Sequence, residues 1–567
     1  MNALSFFCIA LYIILSIFNW TPIEEDAYIY FRFAENIAEG WGYVFNPFDE
    51  KVEACSSVIW LSLLVFLKLF GCNVILSAKI LGIAIGCLSL CIINKISGCF
   101  LNSRYLASLP PFLTALNVPF IMRNQMGLET PISTLIYLCI ILILLKNKYS
   151  FLLFFLFLCA FALSRPEAIF IAFFVIFFLY WYTNEKKFKI VTLLLCFLIF
   201  IAFCTYLRLI YFHDLLPNSF YHKVFPKKYY YGLQYTINFF KDYYAYIFFI
   251  PVLLSFFFIK RVWDKKTFFL FILIFINISW IILEGACYFP FYRHFVPVVP
   301  LFYILTLSIS IKALPQPHSI MAIRSIVAAF IIYAIFILLF PPANWSVWKK
   351  DENYVSLNVK AFFKNPFSYI SMLEKKIRDP RYEYKNVLDF QTLAGLFIKD
   401  NYLPGTTFVY DQMGRLPYNA GNSYFFIDSN GLTEKVIGRT IFCVQNKSSK
   451  IFNTYRKIAQ TIIQYFYPSE YFYCNGQDAA TWIVNREPDV ILLCTLMKGI
   501  VIDELSKNFY IKQMYLPTYY LPGILFLEKK GLAKKPFKNQ YNIPIVMGEK
   551  IEEVLKGNEW FKNFSKS

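Results

Sequence analysis

Two adjacent acids, Glu25 and Asp26, stand just after an apolar run and head the segment EEDAYIYFRFAENIAEGWGYVFNP. Carboxylates are costly to hold at a membrane surface, and a pair of them can supply a general base and a neighbour that tunes it or orients a hydroxyl. The competing role is helix capping, where negative charge at an N-terminus contributes a few tenths to about 1 kcal/mol. Cations that can answer these acids end other apolar runs. They are Arg165 in Ser164-Arg165-Pro166-Glu167, His222 and Lys223 in NSFYHKV, and Arg293 and His294 in FPFYRH. A lone Arg at a span end is ordinarily a snorkelling anchor. Several cations beside acids describe a pocket for an anionic headgroup with a carboxylate base near it.

The elements that must position these residues follow from composition. The chain has 567 residues, 58% hydrophobic and 20% aromatic, and a positive mean hydropathy, which places it among polytopic α-helical membrane proteins. The formal charge of +19 is spread over short loops and a polar tail instead of a basic stripe, so nucleic acid is not the expected partner. Apolar runs long enough to cross about 30 Å of hydrocarbon fall near 3–20, 76–97, 104–122, 131–146, 149–164, 167–183, 190–210, 243–259, 267–283, 295–312 and 322–341, giving about eleven transmembrane helices. The first run lacks a basic leader and a small-residue cleavage site, so it is expected to remain as a span. A shorter run, Val58 to Phe70, contains Lys68 and is expected to lie in the interface as a helix.

That assignment sorts the loops by charge. One set carries Lys95 and Arg104; Lys146 and Lys148; Lys186, Lys187 and Lys189; Lys260, Arg261, Lys265 and Lys266; and Lys312 and Arg324. Short basic loops are cytoplasmic. The opposite set holds Glu25 and Asp26, RNQMGLET at 123–130, SRPE, the loop at 211–224 and EGACYFPFYRH at 284–294. The residues able to do chemistry therefore share the outer side. Glu25, Tyr28, Arg32, Glu35 and Asn36 follow helical spacing, and Ala27, Phe31 and Ala34 form an apolar face, predicting an amphipathic helix along the membrane surface.

After Pro342 the long apolar runs stop, and strand-like pieces TTFVYD, YFFID and DVILLC appear between turns. The expected organisation is a membrane module over 1–341, with a first outer loop at 21–57, and an outer (periplasmic) α/β domain over 342–567. Within the latter, Cys443 and Cys474 are either a disulfide of an oxidising compartment or two unrelated thiols. No CxxC pair or Cys/His spacing suited to zinc occurs in the sequence.

The stretch EEDAYIYFRFAENIAEGWGYVFNPFDEKVEACSSVIW resembles the first outer loop of the GT-C superfamily of membrane glycosyltransferases. It is most similar to the branch holding terminal β-(1→2)-arabinofuranosyltransferases and lipopolysaccharide-associated relatives. That branch reads D-D-A-[FY]-I-x-x-R-[YF]-x-x-N-x-x-x-G-x-G. Further matches follow in the family's order: Gly127-Leu128-Glu129-Thr130, Ser164 to Glu167, Asp214 to Tyr221, and Pro290-Phe291-Tyr292-Arg293. Asp411, Gly414, Pro417, Tyr418, Asp428, Gly431 and Leu432 then match a D-x-x-G-x-x-P-Y…D-x-x-G-L run. The likeness covers about residues 1–440. Glu25 replaces the first Asp of the usual pair, Cys55 stands where an aromatic is common, and Cys287 falls where an acid often precedes P-x-Y-R.

The resemblance implies transfer of a sugar, a pentose such as arabinofuranose among the candidates, from a polyprenyl-phosphate donor to a cell-envelope glycan or glycolipid, with inversion. The implied location is the outer face of a bacterial inner membrane. On that reading Asp26 is the general base and Glu25 tunes it or orients the acceptor. Arg165, Lys223 and Arg293 meet the carrier phosphate. Tyr28, Arg32, Glu53, Glu129, Asn218, Tyr221, His222, Tyr292 and His294 line the substrate pocket. The spans and the 58–70 helix would form a groove for the prenyl chain above the Ala27/Phe31/Ala34 face. No cofactor is required, although Glu25 and Asp26 offer oxygen ligands to Mg²⁺ or Mn²⁺. A lipid-linked glycan flippase or exporter and an O-antigen-type polymerase are the other classes consistent with many spans and cationic pockets.

Overall fold

The structure, a computed structural model, describes residues 3–146, 150–182, 187–223, 228–258, 262–285, 287, 291–314, 320–339, 364–378, 390–467, 475–494, 500–521, 524–541, 543–548 and 550–555. Within the membrane only a helix satisfies its own backbone polar groups, and the apolar runs are helical. Val74–Ser97, Lys187–Phe212, Lys265–Glu284 and Ile320–Leu339 are long and apolar enough to cross a membrane. Shorter apolar helices, among them Ala3–Phe18, Thr130–Lys146, Phe151–Ser164 and Val299–Ala313, accompany them. The chain is a multi-pass membrane protein.

Two expected spans take another form. Residues 104–122 divide into Arg104–Ala107, Leu109–Ala115 and Val118–Arg123. Pro110, Pro111 and Pro119 lack an N–H and start new first turns, and the Asn117 side chain caps the third piece by accepting from Phe120 N. The 243–259 run is also discontinuous. Lys228–Asp242 turns through 86° into Ala245–Ser255, with Tyr244 at φ 48° in the bend. The 58–70 run forms the helix Val58–Leu69, where Lys68 pairs with Glu35 at 2.9 Å and Phe66, Leu69 and Phe70 are exposed.

The segment after the first apolar helix folds as the helix Glu25–Ala38. Its apolar face is closed: Ala27, Phe31 and Ala34 are fully buried. They pack on Gly127, where a Cβ would stand 3.0 Å from both Ala27 and Phe31, and whose φ of 87° suits glycine. Trp60 donates its indole N–H to the Gly127 carbonyl at 2.9 Å. This face is therefore core and leaves no groove for a prenyl chain, because the 127 turn fills the space above it.

The C-terminal domain holds a six-stranded mixed sheet in the order β2-β1-β3-β5-β4-β6. The strands are β1 (Thr407–Tyr410), β2 (Phe425–Asp428), β3 (Val490–Cys494), β4 (Tyr515–Leu521), β5 (Ile524–Lys529) and β6 (Val546–Met547). β1 pairs in parallel with β2 and β3, and the other pairings are antiparallel. The three strand-like pieces in the sequence are β1, β2 and β3. Alternation divides their side chains between two cores. Phe408, Tyr410, Phe426, Val490 and Leu492 join the core containing Phe31, Trp60 and Leu64, whereas Val409, Ile427, Ile491 and Leu493 face the Gly476–Asn485 and Ile500–Lys507 helices. One sheet face is thus continuous with the first outer segment, fixing the domain over the start of the Glu25–Ala38 helix. Cys443 is buried. Its proposed partner Cys474, and the boundary at Pro342, lie outside the described residues.

Candidate active site

Three consecutive acids, Glu24, Glu25 and Asp26, open the first outer helix, and each meets different surroundings. Glu24 is the N-cap residue but uses its carboxylate elsewhere. It forms a fully buried ion pair with Arg123 and faces Arg293 Nη1 at 3.5 Å. Glu25 turns toward the outer domain, where its Oε1 accepts from the backbone N–H groups of Gly414 and Arg415 at 3.0 and 2.9 Å. A Cβ at Gly414 would come within 2.1 Å of the Glu25 carbonyl, so the two backbones touch. Burial pushes the Glu25 carboxyl up to about 7, against the pull of the Arg415 charge and the two N–H groups. Asp26 is half-buried and has no hydrogen bond or ion pair among the described residues. It acts on its neighbours through charge. Burial opposes the Arg293 charge, and Cys287, Glu24, Glu129 and Asp26 reverse that, raising the proton affinity of the guanidinium.

The cationic loops converge beside these acids. Arg165, in extended backbone, opens the three-residue connection from Phe151–Ser164 to Ala168–Tyr182. Its guanidinium bonds Glu167 and lies 3.4 Å from Glu129 and 3.7 Å from Glu284. His294 Nδ1 is 3.4 Å from Arg165 Nη2. Burial and then the charges of Arg165, Arg293, Arg123 and Lys228 hold the imidazole well below its usual titration range, so it is neutral at physiological pH. Phe291 and Tyr292 take φ of 68° and 41° to turn Arg293 and His294 inward. Left-handed backbone at two aromatic residues stores strain of about 1 kcal/mol or more each, a common mark of functional turns.

A cleft opens among Arg165, Glu167, Glu284, Arg293, His294 and Trp280. Around it Thr130 Oγ1, Thr134 Oγ1, Trp280 Nε1 and Arg293 Nε have no hydrogen-bond partner among the described residues. Unmet donors beside two guanidiniums suit an anionic, oxygen-rich ligand. Ligand atoms of Glu167, Glu284 and His294 lie within 4.8 Å of one another, the spacing of a cation site. Arg165 already bonds or faces all three, so a divalent ion there would stand against its charge.

The structure separates the expected site residues into two groups. Arg165, Arg293 and His294 line the cleft, Glu129 faces Arg165 beside it, and Asp26 is within electrostatic reach of Arg293. Tyr28, Arg32, Asn218 and Tyr221 lie against the C-terminal domain instead. Tyr28 packs on Tyr418 at 5.3 Å, and Arg32 donates to the carbonyls of Phe45, Pro417 and Tyr424. Asn218 donates to those of Gly431 and Leu432. Tyr221 donates to Asp214 at 2.5 Å, and Asp214 pairs with Arg439 at 2.8 Å. Glu53 pairs with Arg208. Tyr292 donates to Asp242. His222 and Lys223 end the helix Asn218–Lys223, and their side chains lie outside the described residues. Sequence reasoning passed over Glu24, Arg123, Glu167 and Glu284. The signals available were the third acid of the EED triplet and the charged ends of RNQMGLET, SRPE and EGACYFPFYRH.

No family model matches the sequence, and no curated protein matches it. Among solved structures the fold is similar to ArnT from Cupriavidus metallidurans in the apo state, with a TM-score of 0.50 and 12% identity over 92% of this chain and 97% of that one. ArnT bound to undecaprenyl phosphate aligns at TM-score 0.49 and 10% identity, over 94% and 98% of the two chains. The oligosaccharyltransferase AglB from Archaeoglobus fulgidus, in complex with an inhibitory peptide and a dolichol-phosphate, aligns at 0.44 and 10%, over 96% and 77%. At such identities the likeness is one of fold. The match to apo ArnT spans nearly all of both chains, so the two share an overall fold.

Proposed function

We propose that the chain is an inverting glycosyltransferase that moves a sugar from a polyprenyl-phosphate donor to a cell-envelope glycan or glycolipid. The observation that carries this reading is Asp26: of the three acids at the helix start, it alone has no bonded partner, and it lies beside the Arg293 charge. In the reaction Asp26 takes the proton of the acceptor hydroxyl, whose oxygen attacks the anomeric carbon from the face opposite the phosphate. The bond from that carbon to the phosphate oxygen breaks, and polyprenyl phosphate leaves with the electron pair. Arg293 and Arg165 neutralise the charge growing on the phosphate, so the leaving group needs no acid. Glu25 holds the outer domain against the site and positions Asp26 through the shared helix turn.

The site lies on the outer, periplasmic face of a bacterial inner membrane, following the basic charge of the opposite loops. The spans supply the surface for the prenyl chain. On this reading Arg165 and Arg293 serve the phosphate in place of a divalent ion, so no metal is required. A pentose such as arabinofuranose and a lipopolysaccharide-like acceptor are the first substrates to test. Purified protein in nanodiscs, given radiolabelled polyprenyl-phosphate sugars and glycolipid acceptors, should transfer label, and Asp26→Asn of equal yield should not. Movement of labelled lipid across the bilayer without transfer would overturn the reading in favour of a flippase.

A further inference from the structure

The helix Lys450–Phe466 in the outer domain is apolar on more of its circumference than its packing uses. Phe452, Tyr455, Ala459 and Ile463 face a small core with Tyr221, Phe442, Phe220 and Leu209. A second apolar stripe, Ile451, Ile458, Ile462 and Tyr465, recurs at seven, four and three residues and so occupies one side of the helix. That side faces outward: Ile451 is 79% exposed, Ile458 55% and Tyr465 80%.

Three observations say what covers it. The helix is fastened where the chain leaves a membrane span. Leu209 belongs to the last turn of Lys187–Phe212, and His213, directly after that span, stacks on Tyr467 at 3.8 Å. The helix therefore stands at the end of that span, whose Tyr206, Leu207 and Ile210 are also exposed. Residues 435–469 contain no Asp or Glu, while Lys447, Lys450 and Lys457 are exposed. An amphipathic helix with lysines along its polar side and Ile, Tyr and Phe on the other has the composition of one that lies in a membrane interface, and such lysines are drawn to anionic headgroups.

We propose that Lys450–Phe466 is an interfacial helix that seats the outer domain on the membrane surface, with Ile451, Ile458, Ile462 and Tyr465 in the lipid and Lys450 and Lys457 among anionic phosphates. This docking fixes the height of the outer domain above the cleft by a contact separate from the Glu25 junction.

Spin labels carried on an unnatural amino acid avoid the native cysteines and test the proposal in the full chain. They are placed singly at Ile458, Tyr465 and Lys457 in nanodiscs of phosphatidylethanolamine and phosphatidylglycerol. The expected ratio of collisions with dissolved oxygen to those with a water-soluble nickel chelate is about tenfold higher at 458 and 465 than at 457, the signature of burial about 5–10 Å into the headgroup region. Equal ratios at the three positions overturn the proposal. So does dipolar coupling between labels at 458 on two chains in one nanodisc, which would make the stripe a contact between copies. The labelled proteins should melt with the wild type, because the substituted side chains leave the domain core intact.

Discussion

The Glu25 carboxylate accepts the backbone N–H of Gly414 at 3.0 Å, joining the first turn of the first outer helix to a loop almost four hundred residues later. The junction places the C-terminal domain one residue from the proposed base. It leaves no room for a side chain, since a Cβ on Gly414 would meet the Glu25 carbonyl at 2.1 Å and Oε1 at 2.6 Å. Gly414→Ala must therefore separate two backbones. It should lower stability by about 1–3 kcal/mol, the usual cost of overpacking, and speed proteolysis between the membrane module and the sheet. An unchanged melting curve and digestion pattern would show that the junction yields without cost.

The same contact predicts a pH dependence. The Glu25 carboxyl is pushed up to about 7 by burial, from an ordinary value of 4.5. The folded chain then binds this proton more tightly than the unfolded chain, so the associated stability is full below pH 4.5 and is lost as pH rises through about 7. Asp411 and Asp428, raised by burial to about 7 and 6, act in the same direction. Thermal melts should show the wild type more stable at pH 5.5 than at 7.5, with a smaller difference in Glu25→Gln. An identical pH slope in the variant would remove Glu25 from the effect.

Asp26→Asn tests the base directly. A positioned general base contributes about 10²–10⁴-fold, so transfer should fall by at least that lower factor. The melting temperature should hold, because Asp26 anchors nothing among the described residues. Glu25→Gln should reduce activity less while lowering the melting temperature. Complete loss in both variants without any change in melting would mean that the two acids act as one unit.

Glu24 and Arg123 form a buried pair whose disruption should be structural. Removing one partner of such a pair costs about 3–5 kcal/mol, with Arg123→Ala at the lower end because Glu24 still faces Arg293 at 3.5 Å. Glu24→Ala and Arg123→Ala should both reduce folded yield in detergent, read by size-exclusion profile and melting. Normal yield and melting in both would show that water reaches the pair.

Much of the scaffold was legible in the sequence, because periodicity states which residues share a face. The spacing of Ala27, Phe31 and Ala34 predicts the Glu25–Ala38 helix, and short apolar pieces between turns predict β1, β2 and β3. What covers a face is set by residues distant in the chain. Nothing near Arg32 announces that carbonyls of Phe45, Pro417 and Tyr424 will take its protons, so a conspicuous Arg on an outer helix reads as a pocket residue. Among three consecutive acids, the sequence likewise does not show that Glu24 turns inward to Arg123, that Glu25 turns to the outer domain and that Asp26 stays unbonded. The broken 104–122 run was legible in its prolines, although hydropathy alone reads it as one span.

Arg293 is the sharper test of the phosphate site. Arg165 is surrounded by Glu129, Glu167 and Glu284, so its removal would leave three acids facing one another and confuse binding with folding. Arg293 faces Glu24 at 3.5 Å and keeps its Nε without a partner, so it has a donor to give. Glu24 retains Arg123 if Arg293 is lost. Arg293→Gln should therefore fold, and it should weaken binding of the donor and of free polyprenyl phosphate about tenfold or more, since a hydrogen bond to a charged group contributes about 1.5–3 kcal/mol. Arg293→Lys should recover only part of this, because an ammonium cannot reproduce the guanidinium fork. The readouts are KM for the polyprenyl-phosphate sugar and inhibition by polyprenyl phosphate, with melting as the control. A variant with unchanged KM and inhibition would place the carrier phosphate away from Arg293 and leave the cleft to the acceptor.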